Sequence, residues 1–549
     1  MTRNQITLAA ILFVGAAIAL FLSFDFSGDF AINDDWGYST PVRWWVVDRR
    51  LALTHWQSMP LISQLFLGVA WAEVFGFSQG ALRQLTLVLA LTTCAAVFAC
   101  ARVLALPVSI CLLCALMPLA SPIFVGLSYS FMTDVPAAAL VVLSVLFLIR
   151  SFNRPGGGGW DYGIGIGFLL LAVLLRQTSL ALALALVLAE PVARGFSLRG
   201  FARNLAVVIG AAAAYVASTA LLREKVGLPT AYGAKTDAMV AFLGDIFNLN
   251  LGALRQTLEA LLVASANYGL FALPILPILL GVLWRRGCRR ILFAGGAAAC
   301  LAVASLAVGA EVLSPMVGNI LTGDGLGPRT LQGNVQVDVM TSLIVTTAGH
   351  FTLICSFLAV TLGMNLLWKG ERELERGTMA GVLLLVVTAV VTFAPHAVAF
   401  AAVFDRYALL PSILLVPAVL RIIDPDAVCR TSIRLSGVLV LGGFTLSLAL
   451  TAEYFRWQDT RHSLIGQLLS KGIAAEDIDG GFEYNNLRAV LANPEEAVAM
   501  SRVDPVGLPV RLKMAPEPGD EIIASESYTR FLGSQTVTLY AVMPADVLQ

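Results

Sequence analysis

Apolar stretches of close to twenty residues recur along this chain, and they limit its fold more than any other feature. Each is long enough to cross the roughly 30 Å hydrocarbon core of a bilayer as a helix. Lipid offers the backbone no hydrogen-bond partner, so a crossing segment must satisfy its own N–H and C=O groups. By length and hydropathy the spans fall near residues 6–24, 81–101, 107–125, 131–149, 162–176, 178–193, 202–222, 257–284, 291–310, 341–368, 379–402, 407–423 and 434–452. Only 13% of residues are charged, against about 25% in soluble proteins. The expected fold class is an all-α polytopic membrane protein of about thirteen transmembrane helices.

Arginine and lysine orient it. With the N-terminus inside, the inner loops carry Arg3, Arg102, Arg150, Arg154, Arg194, Arg199, Arg203, Arg285, Arg286, Arg289, Arg290, Lys369, Arg372, Arg376, Arg421, Arg430 and Arg434. That agreement with the positive-inside rule extends to every inner loop. Residues 1–24 read as a retained first span and not a cleaved leader, since the apolar run has no small-residue site before the acidic loop. An odd number of spans puts the C-terminus outside, so the N-terminus is cytoplasmic and the tail extracytoplasmic.

The outer face receives residues 25–60, 224–256, 311–340 and the tail. Residues 60–77, opened by Pro60, read as a helix lying at that surface. Residues 1–452 form the expected transmembrane domain, with its first outer loop at 25–60. Residues 453–549 form a small soluble α/β domain: a helix over 453–471 stopped by Gly472, a strand and turn at Ile478–Tyr484, and two strands at 521–531 and 535–543.

Zero formal net charge gives no basic field for nucleic acid. The eight cysteines fall in apolar segments or inner loops, so no disulfide framework is expected. Cys111 and Cys114 have CxxC spacing, but no second ligand pair accompanies them. Gly156–Gly159 lacks the Gly-Lys-Ser/Thr that would make a phosphate loop.

Chemistry concentrates on the outer face. Asp34 and Asp35 sit in Asn33-Asp-Asp-Trp-Gly-Tyr38, where Trp36 and Tyr38 supply aromatic surface. Carboxylates at the mouth of a membrane bundle are costly and point to function. Asp134 starts a span in Thr133-Asp-Val-Pro136, where either Thr133 or Asp134 is placed to cap the helix. Arg406, in Asp405-Arg-Tyr407, stands at an outer helix end that the charge rule disfavours. It either pairs with Asp405 or binds a lipid phosphate, for which a guanidinium is suited. Arg176 turns between two spans and Arg83 opens another, both on the same face. Of the four histidines, His396 alone lies where it bears on that face.

These motifs, in this order and on this side, resemble the GT-C glycosyltransferases. The resemblance runs over residues 1 to about 420, towards the branch of protein mannosyltransferases and aminoarabinose transferases. It rests on the Asp34-Asp35 loop, the Thr133-Asp134-Val-Pro136 helix start, the Arg176-Gln-Thr turn and Arg406-Tyr407 before a Leu-Leu-Pro span. The resemblance implies inverting sugar transfer from a polyprenyl-phosphate-linked donor, at the outer face of a bacterial inner membrane, to a glycan, lipid or protein acceptor. A divalent cation is optional in such a scheme, and surrounding membrane lipids are the remaining partners. Asp34 then acts as base, Asp35 as its orienting partner or a metal ligand, and Arg406 with Arg176 as phosphate clamp. Arg83, Tyr407, Asp134, Trp36 and Tyr38 complete the expected substrate-binding set. Here the second acidic residue is Asp where the family has Glu, and Arg176 stands where lysine is frequent. Two other classes stay open: a lipid or solute transporter or flippase, expected to show inverted repeats, and a non-catalytic scaffold for envelope glycan assembly.

Overall fold

The computed structural model describes residues 3–23, 25, 28–154, 158–226, 230–285, 319–322, 325–332, 374–399, 404–423, 428–493, 508–530 and 535–544. Its helices are α1 (Arg3–Leu22), α2 (Asp35–Val46), α3 (Ile62–Phe75), α4 (Gln79–Val103), α5 (Val108–Leu116), α6 (Pro122–Ser128), α7 (Asp134–Phe152), α8 (Gly159–Leu175), α9 (Leu180–Arg194), α10 (Leu198–Val226), α11 (Thr230–Phe247), α12 (Leu251–Ala272) and α13 (Leu276–Arg285). A two-residue hairpin, β1 (Leu321–Thr322) and β2 (Gly325–Leu326), precedes α14 (Arg376–Ala399), α15 (Leu409–Ile422) and α16 (Arg430–Ser470). The tail adds β3 (Ile478–Asp479), α17 (Phe482–Ala492), β4 (Val510–Lys513), β5 (Glu521–Thr529) and β6 (Thr536–Met543).

Among the described residues seven stretches are long and apolar enough to cross a membrane: Gln79–Val103, Asp134–Phe152, Gln177–Arg194, Leu198–Lys225, Asn267–Arg285, Arg376–His396 and Arg430–Ser470. Three shorter apolar helices, Ile11–Leu22, Ile62–Phe75 and Gly159–Leu175, accompany them. The expected spans at 291–310 and 341–368 lie outside the described residues. The span expected at 107–125 does not form. Pro118 and Pro122 lack the N–H that would continue a helix, and the chain breaks into α5, a 3-10 turn at Pro118–Ala120 and α6. Ser121 caps α6 by accepting from the Phe124 N–H.

The span expected at 434–452 and the tail helix expected at 453–471 are one 41-residue helix, α16. Nothing at Glu453 stops a helix, and the sequence from Arg430 to Ser470 contains no proline. The tail's sheet has strand order β3-β4-β6-β5, with β3 parallel to β4 and the other pairs antiparallel. The strand and turn expected through Tyr484 are corrected: the strand is two residues long and Phe482 already opens α17.

The bundle is tied by close backbone approach and small residues. α7 buries Ala137, Ala138 and Ala139, and α9 buries Ala181, Ala183, Ala185 and Ala189. Small side chains let helices meet where lipid supplies little hydrophobic drive. α3, the helix expected at the surface, packs on α2, α4 and α8. A Cβ at Gly68 would come within 2.8 Å of Phe131 and 2.9 Å of Val42. Any larger residue there would force the Phe131 ring and Val42 of α2 to shift. Gln64 of α3 donates to the Phe131 carbonyl (2.8 Å), and the Leu61 N–H to the Leu175 carbonyl (3.2 Å). The first loop is thereby fixed to the start of α7 and the end of α8.

Candidate active site

Asp34 occupies the N-cap position of α2 and makes no side-chain cap bond. Its carboxylate is used elsewhere. Oδ1 accepts from the Trp56 indole N–H at 3.0 Å, and Oδ2 accepts from both terminal nitrogens of Arg406 at 3.2 and 3.3 Å. Asp34 and Arg406 are 372 positions apart in sequence.

Arg406 sits in the 3-10 turn Asp405–Ala408 before α15. The expected pairing with Asp405 is absent. Asp405 instead accepts the backbone N–H groups of Asn319 (3.2 Å), Ile320 (3.0 Å), Leu321 (2.7 Å) and Arg406 itself (2.8 Å). Those donors satisfy the buried carboxylate and leave the guanidinium to Asp34. Phe404 and Tyr407 flank it, 5.3 and 5.7 Å from its centre, a favourable setting for a cation. Burial opposes its charge, but Asp34 and then Asp134 hold the guanidinium above the ordinary arginine range.

Asp134 pairs with Arg176 at 2.6 Å. The expected cap is corrected on this point: Thr133 holds the N-cap position without a side-chain bond, and Asp134 is the first helical residue. Arg176 also lies 5.6 Å from the Tyr407 ring. His396, at the end of α14, stacks on Tyr407 with centroids 3.9 Å apart. Asp134, Arg176, His396, Arg406 and Tyr407 line one cleft with Thr178, and its free volume is about 20 Å³. That is room for about one water molecule.

Asp35 is fully buried and faces away from this cleft's pairs. Its Oδ1 accepts from the Ile32 N–H at 2.7 Å and its Oδ2 from the Phe131 N–H at 3.4 Å. Burial pushes its carboxyl up to about 7, against the charge of Arg83 and these two N–H groups. Asp35 therefore pins the first loop to the loop before α7.

Three of the expected substrate-binding residues are engaged within the protein. Arg83 is fully buried; it donates to the Gly28 carbonyl (2.6 Å) and to the Phe30 carbonyl, with its centre 4.6 Å from the Phe30 ring. It holds the first loop. Trp36 is fully buried among His55, Trp56 and Phe482, at 5.7, 5.9 and 6.1 Å between centroids. Tyr38 is buried as well. Burial, then the neighbouring Asp34, raises its phenol above the ordinary range and keeps it neutral.

Two residues that sequence inspection missed matter here. Trp56 lies in the same first loop as Asp34, and its ring carries a single N–H donor suited to a carboxylate. Phe482 comes from the tail and packs 5.4 Å from the Trp56 ring. No local signal in Phe482-Glu-Tyr484 announces that contact.

A metal fits poorly. Among the described residues no three His, Cys, Asp or Glu side chains form a metal-holding group. Asp34 faces a guanidinium and Asp35 faces two amides, so the paired carboxylates share no open position for a cation.

No family model matches the chain, and no curated protein matches it. Among solved structures the chain is similar to ArnT from Cupriavidus metallidurans. The apo form aligns at 13% identity over 98% of each chain, with TM-score 0.40. The form bound to undecaprenyl phosphate aligns at 13% identity over 97% of each chain, with TM-score 0.43. It is also similar to the archaeal oligosaccharyltransferase AglB from Archaeoglobus fulgidus, at 12% identity, over 82% of this chain and 56% of that one, with TM-score 0.39.

Proposed function

We propose that the chain is an integral membrane glycosyltransferase. It moves a sugar from a polyprenyl-phosphate-linked donor to an acceptor hydroxyl at the outer face, with inversion. The observation that carries this is the meeting of Asp34 with Arg406, which lines one cleft together with the Asp134–Arg176 pair. A carboxylate beside two guanidiniums supplies what such a transfer needs.

The donor phosphate competes for Arg406 and Arg176, since guanidinium binds phosphate as it binds carboxylate. Asp34 is then released to face the acceptor. Its carboxylate takes the hydroxyl proton while the acceptor oxygen attacks the anomeric carbon from the side opposite the phosphate. The bond from that carbon to the phosphate oxygen breaks, and polyprenyl phosphate leaves with the bonding pair. One negative charge has moved from Asp34 to the phosphate, where two fixed cations receive it. A positioned base of this kind contributes about 10²–10⁴-fold. Preorganised cations in a site of low water content stabilise the leaving charge with little reorganisation. Asp34 returns its proton to solvent, and the Asp34–Arg406 pair reforms. In this scheme residues 453–549 act as the outer domain that closes over the first loop.

The test uses protein in lipid nanodiscs and a panel of radiolabelled polyprenyl-phosphate sugars. Consumption of one donor by wild type, spared by Asp34→Asn, is the expected result. Loss of donor binding in Arg406→Ala identifies the clamp. No donor consumed and no polyprenyl phosphate bound would sink the proposal.

A further inference from the structure

α9 joins two clusters of arginine. Its first end follows Arg176 and the cleft described above. From Gln177 the helical stretch runs 18 residues to Arg194, a rise of about 27 Å. That is nearly the thickness of a bilayer's hydrocarbon core, roughly 30 Å. The far end therefore lies at the opposite membrane surface.

There the chain turns at Gly195 (φ +79°) and enters α10. A cleft of about 250 Å³ opens between the two helices, lined by Glu190, Arg194, Arg199, Arg203 and Asn204. Glu190 is buried and organises it. Its carboxylate accepts from Arg194 at 2.8 Å, and from Arg203 and Asn204. Arg203 lies over the Tyr162 ring at 4.3 Å, and Tyr162 in turn donates to Asn204 at 2.8 Å. Arg199 forms no ion pair among the described residues. One carboxylate thus faces three guanidiniums, two of them set in place by buried partners.

The rim is apolar. Phe196 and Leu198 are 69% and 77% exposed. They flank the arginines on the segment that joins α9 to α10. Aromatic and aliphatic side chains at a membrane surface sit among headgroups and upper acyl chains. A cationic cleft with such a rim matches a molecule that is anionic at one end and apolar at the other.

We infer that this cleft binds the phosphate headgroup of an anionic membrane phospholipid, about one bilayer thickness from the sugar-transfer site. The phosphate meets Arg199 and the outward edges of Arg194 and Arg203, and the acyl chains lie along Phe196 and Leu198. A free phosphate shares the headgroup chemistry but does not use the rim.

The full-length protein in a zwitterionic detergent, titrated with phosphatidylglycerol or phosphatidylcholine and read by native mass spectrometry, tests this. Phosphatidylglycerol is expected to bind selectively. Arg199→Ala, at an exposed position that does not threaten folding, is expected to weaken it about fivefold, the worth of one arginine at an anionic surface. Phe196→Ser with Leu198→Ser should weaken phosphatidylglycerol and leave inorganic phosphate unaffected. Arg102→Ala, on another helix, should change nothing. Equal binding of the two lipids, or equal loss in the Arg199 and Arg102 variants, overturns the site. Displacement of the lipid by millimolar inorganic phosphate, with no effect of the rim substitutions, overturns the lipid assignment. None of these readouts depends on sugar transfer.

Discussion

Two groups of buried ion pairs in this protein use the same residue types to opposite ends. At the cleft, Arg406 meets Asp34 and Arg176 meets Asp134, with side chains 4–15% exposed. At the junction of membrane and tail, Arg461 meets Glu483, both fully buried, at 2.8 Å. Beside them Glu453 accepts from Arg329 at 2.9 Å and Arg530 at 3.0 Å. Thr330 adds a hydroxyl to Glu483 at 2.5 Å. A buried pair repays its desolvation only when geometry and extra hydrogen bonds satisfy both charges. The junction meets that condition only in part, since Arg461 Nε and Nη2 and Glu483 Oε1 find no hydrogen-bond partner among the described residues, but both side chains are fully buried and out of reach of a ligand. Arg406, Arg176 and Asp134 line a small cleft, and in the proposed reaction the donor phosphate exchanges with their carboxylate partners there. Burial alone does not separate a structural ion pair from a working one; access to a competing anion does.

The largest expected effect breaks the cleft while sparing the fold. Asp34→Asn should cut transfer by about 10²–10⁴-fold and lower the melting temperature less than the junction variant does, since asparagine keeps an acceptor for Arg406 and Asp134 still faces the guanidinium. Glu483→Ala should do the reverse. Leaving Arg461 buried without its partner costs about 3–5 kcal/mol, read as a lower Tm and faster proteolysis of the tail. A junction variant that melts like wild type but does not turn over would erase the distinction.

Asp35 offers a third measurement. Its carboxyl titrates at about 7 in the folded protein, against 3.8 ordinarily, chiefly because it is buried. Between those values the folded state keeps a proton that the unfolded chain has lost. The contribution of Asp35 to stability is therefore greatest below pH 4, falls as pH rises to about 7, and levels off above. The span of that fall is up to about 4 kcal/mol. Asp35→Asn should flatten it in pH-dependent thermal melts. The smallest effect expected is from Trp56→Phe, which removes one hydrogen bond to a carboxylate, worth about 1.5–3 kcal/mol at most. It should lower kcat about tenfold with donor KM nearly unchanged, since Trp56 orients Asp34 and not the phosphate clamp.

The grouping of the cleft residues was legible in the sequence. Hydropathy and arginine placement put Asp34, Asp134, Arg176, His396 and Arg406 on one face, and the structure gathers all five at one end of the bundle. What stayed hidden were the partners. Asp405 beside Arg406 suggested a local ion pair, yet the carboxylate serves the backbone at 319–321. Pairings across hundreds of residues leave no periodic trace. The carbonyl partners of Arg83 were hidden too, because a buried arginine that holds backbone carbonyls carries the same sequence signature as one that binds phosphate. The break at Pro118 and Pro122 was visible in the residues themselves, but hydropathy averaged over a window smoothed it away. The unbroken α16 was missed for the converse reason: polarity changes at Glu453, while helix propensity does not.

That helix has a mechanical consequence. Forty-one residues make a rod about 60 Å long, with no proline hinge between its apolar half and the half that carries His462 and Arg461. His462 stacks on Phe30 of the first loop at 4.7 Å, and Arg461 grips α17 through Glu483. A rod works as a lever. Tilting it by 5° swings its far end by about 5 Å over that length, and the tilt of a span is set by its packing against neighbouring helices and by interfacial anchors. A small change of packing in the apolar half of the rod is thus carried undamped to the strut that touches the acidic loop.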